Sequence, residues 1–72
     1  MIDWIPVDSS VITAEAFDPE TDTIYVRFKN GQEWAYSACP QHVWQEFTAP
    51  GQSRGVYLNK VLKFKPNSRH VS

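Results

Sequence analysis

Two groupings of side chains in this 72-residue chain are of types and spacings that could do chemistry. The first is Cys39 with His42, three positions apart. That spacing suits half of a metal site, or a thiol nucleophile with its base. A zinc site needs about four ligands, and the only other histidine, His70, stands far along the chain. A thiol between a strand and a helix is more commonly a small buried hydrophobe, so Cys39 is read as structural. Ser9-Ser10 has no base near it in sequence, and the N-terminal carboxylates are spread over loops. No phosphate-cradling glycine loop and no dinucleotide fingerprint is present. The expectation is a protein with no catalytic residues, no metal and no cofactor.

The second grouping lies in the last third, where Arg54, Lys60, Lys63, Lys65 and Arg69 are interleaved with Tyr57 and Phe64. Cations hold a phosphate backbone and aromatic faces stack bases, so this pattern suits single-stranded nucleic acid. Charge is distributed to match. All eight carboxylates precede residue 47 and five cations follow it, so that a chain of net charge −1 has an acidic part of −6 and a basic part of +5. Such asymmetry points to a charged partner for one end. The expected function is a small binding module for RNA, with Arg54, Tyr57, Lys60, Lys63, Lys65 and Arg69 as the working surface. The rival from another class is a protein-interaction adaptor, or a small phage-type regulator docking through an acidic patch on a larger enzyme such as RNA polymerase. Trp4 is its possible anchor, since exposed tryptophans often dominate interfaces. The plain structural reading makes Tyr57 and Phe64 core, with the lysines a solvated edge that discourages aggregation.

The elements that must position these groups are organised around Ile24 to Tyr36. Two alternating apolar runs flank Asn30-Gly31, a strong hairpin signal. A two-residue turn would put Phe28 opposite Glu33 and Val26 opposite Ala35. A three-residue turn with Gly31 in a bulge would put Val26 opposite Trp34 and Ile24 opposite Tyr36. The second register is preferred because it gathers Ile24, Val26, Phe28, Trp34 and Tyr36 on one face and keeps Glu33 off it. Before the hairpin, Val11 to Phe17 alternates, with Ile12, Ala14 and Ala16 on one side. Pairing Phe17 with Thr23 would make a three-stranded antiparallel meander. Pro40 suits the first turn of a helix, and Val43, Trp44 and Phe47 form its apolar stripe. Trp44 and Phe47 are expected to drop against the two alanines. Arg54 to Phe64 reads as a helical turn from Val56 running into a short extended edge segment.

The fold class expected is therefore α+β, a meander covered by a helix. Its organisation is an extended lead-in over 1–9, a single domain over 10–65 and a mobile tail over 66–72. Ten aromatics compensate for the small size of the core. A single cysteine excludes an internal disulfide and suits a reducing compartment, most simply the cytoplasm. No apolar run approaches a membrane span, and the acidic start is not that of a signal peptide.

Taken in order, Val7 to Ile12, Ala16-Phe17-Asp18, Ile24-x-Val26-x-Phe28-x-Asn30-Gly31, Trp34-Ala35-Tyr36, Pro40 and Ser53-Arg54-Gly55-Val56-Tyr57-Leu58-Asn59 resemble the KTSC domain. That short module occurs after some lysyl-tRNA synthetases and as free-standing bacterial and phage proteins. Trp34-Ala35-Tyr36 is a variant of the family's Tyr-x-Tyr pair. Ser53 to Asn59 stands for its Ser-Lys-Gly-x-Tyr-Phe-Asn segment. The resemblance covers roughly residues 7 to 62 and implies RNA binding, proposed for the family from its place on a synthetase.

Overall fold

The structure, a computed structural model, describes residues 2–71. Met1 and Ser72, the outermost residues of the expected lead-in and tail, lie outside the described residues. A central hairpin organises the sheet. Strand β3, Thr23–Phe28, pairs with β4, Glu33–Tyr36, in the register Ile24↔Tyr36 and Val26↔Trp34. Burial favours this register, because the alternative would turn Ile24 and Val26 to opposite sides from Trp34 and Tyr36. The Phe28 N–H donates to the Gln32 carbonyl at 2.8 Å and the Gly31 N–H to the Phe28 carbonyl at 2.9 Å. Gly31 takes a φ of 89°, which a side chain would disfavour. Ile24, Val26 and Tyr36 are buried, whereas Phe28 and Trp34 pack half-exposed at the margin.

Strand β2, Ile12–Asp18, departs from expectation by one residue. Asp18, not Phe17, lies opposite Thr23, and the offset runs back to Ala14↔Arg27. A bulge between Ile12 and Ala14 then restores Ile12↔Phe28. Side chains alternate along a strand, so one inserted residue exchanges the faces of everything beyond it. Ile12, Glu15 and Phe17 share the face of Ile24 and Val26, while Ala14 and Ala16 turn to the other side. The alanines therefore do not receive the helix. Trp44 stacks instead on Phe17, with ring centroids 5.5 Å apart and planes 9° from parallel.

The expected meander is also incomplete. Among the described residues the sheet has five strands in the order β1-β2-β3-β4-β5, all antiparallel. The lead-in supplies β1, Ile5–Pro6, and residues assigned to the tail supply β5, Asn67–His70. Pro6 is compatible with β1 because that strand is an edge. Strand β5 has no apolar alternation, and backbone pairing with β4 holds it, extended by the Ser37 N–H donating to the Pro66 carbonyl at 2.8 Å.

Two helices cover one face. Helix α1, Gln41–Phe47, begins after Pro40, and α2, Arg54–Lys60, comes after a short loop. Val43, Phe47, Tyr57 and Leu58 pack on Ile12, Ile24, Val26 and Tyr36. The segment expected to be an extended edge is a 3-10 turn, Leu62–Phe64. In it Leu62 is buried and Phe64 is turned outward.

Candidate functional site

The segment Ser53 to Asn59 builds the seam between α2 and the sheet. The Ser53 hydroxyl caps α2 by accepting the Val56 N–H at 3.3 Å. Arg54 donates through Nε and Nη2 to the two oxygens of Glu15 at 2.8 and 2.9 Å, and its guanidinium lies 5.5 Å from the centroid of the Phe47 ring. The bulge in β2 is what turns Glu15 toward α2, where it is only 3% exposed. A Cβ on Gly55 would lie 2.8 Å from Cγ2 of Val11, so the helix approaches the start of β2 more closely than alanine would permit. Tyr57 is buried and donates its hydroxyl to Glu46 at 2.8 Å. Two of the six residues expected at the working surface, Arg54 and Tyr57, are thus engaged in holding α2 in place.

The phenol of Tyr57 is pushed well above its ordinary pKa, first by burial and then by its hydrogen bond to Glu46. Burial also raises Tyr36 and Cys39, Lys65 partly opposing the shift at Cys39. A group harder to ionise in the folded chain contributes stability that is complete below its unfolded pKa and is lost as pH rises through the folded one. Stability is expected to fall upward from about pH 9, with Tyr57→Phe flattening the alkaline end of the decline in urea titrations at a series of pH values. A variant curve parallel to the parent's throughout would mean that water already reaches the Tyr57 hydroxyl.

The other four cations remain free along one continuous piece of chain. Lys60 ends α2, Lys63 lies in the 3-10 turn, Lys65 comes directly after it and Arg69 sits in β5 opposite Trp34. None is in an ion pair among the described residues. At their centre the Phe64 ring is 74% exposed, with Lys63 Nζ 5.3 Å from its centroid. The turn is held by the Phe64 N–H donating to Val61 at 3.2 Å and the Lys65 N–H to Leu62 at 2.9 Å. Sequence alternation marked Phe64 but suggested an edge strand; its outward aim results from the tight turn that buries Leu62.

Trp4 lies on the sheet face away from the helices. The Arg27 guanidinium is 4.5 Å from the centroid of its ring, and Tyr25 meets it edge-on at 6.4 Å. Arg27 also pairs with Glu33 at 2.8 Å, and His70 packs edge-on against Tyr25 at 5.2 Å. The proposed anchor is therefore half-buried within its own chain. Cys39 is fully buried with its thiol donating to the Ser37 carbonyl at 3.3 Å, while His42 is exposed on α1. Among the described residues, no three His, Cys, Asp or Glu side chains converge on a position suited to a metal ion. No described helix is long and apolar enough to cross a membrane.

Comparison with known proteins agrees with this architecture. The family model of the KTSC domain matches residues 8–65. A protein of Tsukamurella paurometabola, described only as "Protein", is 33% identical over 67 residues, which cover 93% of this chain and 96% of the relative. The crystal structure of a KTSC domain protein from Yersinia pestis superposes with a TM-score of 0.89 over 99% of this chain and 100% of that one. Its sequence identity is 22%, so that likeness speaks for the fold.

Proposed function

The chain belongs to the KTSC domain family, and from that premise we propose that it is a small non-enzymatic module that binds single-stranded RNA along Lys60 to Arg69. The observation that carries this reading is Phe64. A phenylalanine ring left 74% in water on an ordered turn gains nothing for the fold. Flanked by Lys60, Lys63, Lys65 and Arg69, it is suited to stack on a base while the cations hold adjacent phosphates. The buried thiol of a lone cysteine suits a reducing compartment such as the cytoplasm.

Anisotropy of a labelled single-stranded RNA of mixed sequence, measured through a salt series, tests it. If all four cations meet phosphates, log K should fall with log salt at a slope of about −2.8. Phe64→Ala should weaken binding by about 1–3 kcal/mol through lost stacking. Lys60→Glu with Lys63→Glu should abolish binding and leave stability within about 1 kcal/mol, because exposed charges contribute little to folding. RNA affinity unchanged in both variants would remove the reading. Salt-resistant capture of one acidic protein, lost in Phe64→Ala, would favour the adaptor instead; half-exposed Val56, one helical turn before Lys60, supplies apolar surface for it.

A further inference from the structure

We propose that Asn30 is a site of self-modification, where the chain converts a side-chain amide to aspartate and isoaspartate without an enzyme. Asn30 and Gly31 form the exposed tip of the β3–β4 hairpin. The Asn30 side-chain oxygen accepts the Gln32 N–H at 2.9 Å, so the amide is held across the peptide that joins Asn30 to Gly31. The same N–H is placed to stabilise the negative charge this oxygen gains when its carbon is attacked. The attacking group is the Gly31 backbone nitrogen, which carries no neighbouring side chain. A Cβ built on Gly31 would meet nothing within 4 Å among the described residues, so the tip is open to water. One contact opposes the reaction: the Gly31 N–H donates to the Phe28 carbonyl at 2.9 Å and must first be released. An exposed bond at a hairpin tip opens locally at far less cost than global unfolding.

Water is the only co-reactant. The Gly31 nitrogen gives its proton to solvent base and bonds to Cγ of Asn30. The bond from Cγ to the side-chain nitrogen breaks, and that nitrogen takes up a proton and leaves as ammonia. Water then opens the cyclic imide. Attack at Cγ breaks its bond to the Gly31 nitrogen and yields aspartate, with the main chain as before. Attack at the Asn30 main-chain carbonyl carbon breaks the original peptide bond and yields isoaspartate, whose main chain runs through Cγ. Aspartate keeps an oxygen for the Gln32 N–H and keeps the length of the turn. Isoaspartate lengthens the turn by a methylene. The pairs Val26↔Trp34 and Arg27↔Glu33 depend on that length, and so does the Arg27–Glu33 ion pair. The hairpin tip is separate from the cations proposed for RNA, and the inference does not rest on that reading.

The test is storage of the folded protein in warm, mildly alkaline buffer, followed by peptide mapping in a mass spectrometer that distinguishes amide, aspartate and isoaspartate. The chain's other asparagines are internal controls. Asn59 lies within α2, and Asn67 in β5 donates its side-chain amide to the Lys65 carbonyl at 2.8 Å. Each is followed by a residue with a side chain, which crowds the attacking nitrogen. Conversion at Asn30 should outpace both at least about tenfold, a barrier difference of about 1.4 kcal/mol. The rate should rise with pH, because the attacking nitrogen must lose its proton. Asn30→Asp, which reproduces one product, should melt as the parent does, and the separated isoaspartyl fraction should melt lower. Conversion at Asn30 no faster than at Asn59 or Asn67 would overturn the assignment of the site. An isoaspartyl fraction with the parent's melting curve would overturn its effect on the hairpin.

Discussion

Arg54→Ala is expected to destabilise the domain by about 3–5 kcal/mol, the loss typical of stranding one partner of a buried ion pair. Glu15 is 3% exposed and both its oxygens are occupied by Arg54. Without the guanidinium a carboxylate would stay on the sheet face beneath α2 with neither water nor a counter-charge. Replacing both partners is different in kind. Glu15→Leu with Arg54→Met removes the charges together, and such exchanges are often neutral or stabilising. Urea unfolding of Glu15→Leu, Arg54→Met and the double variant closes the cycle. Additive losses would show that the pair is not coupled, and an Arg54→Ala loss below about 1 kcal/mol would mean that water solvates Glu15.

Phe47→Ala should be equally damaging, at about 3–5 kcal/mol. Its ring is wholly buried, with Trp44 and Tyr57 at centroid distances of 6.2 and 5.8 Å. Truncation would leave a void at the point where both helices meet the sheet. Domains are stable by only about 5–15 kcal/mol, and short chains sit toward the low end. A substantial unfolded population is therefore expected, visible as loss of dispersion in a proton NMR spectrum. Phe64→Ala is the internal control, since removing an exposed ring should shift stability by no more than about 0.5 kcal/mol. Similar melting of the two alanine variants would contradict the burial assigned to Phe47.

How far each element is legible in the sequence depends on how local its signal is. Asn30-Gly31 and the flanking alternation specify the hairpin and its register, because turn chemistry and burial act over a few residues. Pro40 and the stripe Val43, Trp44, Phe47 likewise specify α1. The bulge in β2 left no such trace: Ile12, Ala14 and Ala16 alternate well, and only packing of Phe17 on Trp44 and Glu15 on Arg54 favours the shifted phase. Strand β5 was hidden for another reason. Asn67-Ser68-Arg69-His70 has no apolar face, and the sheet recruits its backbone, not its side chains. The basic character of the candidate surface was plain in composition. That Arg54 and Tyr57 belong to the scaffold depends on Glu15 and Glu46, which only tertiary structure brings to them.

Sequential strand order also governs the route by which the chain folds. Each strand pairs with the one next to it in sequence, so early pairing between β2, β3 and β4 closes only short loops and costs little entropy. The Arg54–Glu15 clasp joins residues 39 apart and can form only when α2 settles on a sheet already phased by its bulge. On this route the hairpin belongs to the transition state and the clasp to the descent after it. Changes around Asn30-Gly31 would slow folding, whereas loss of the clasp would chiefly hasten unfolding. Glu15 and Arg54 thus act as a latch on the lifetime of the folded state, with little influence on how quickly that state is reached.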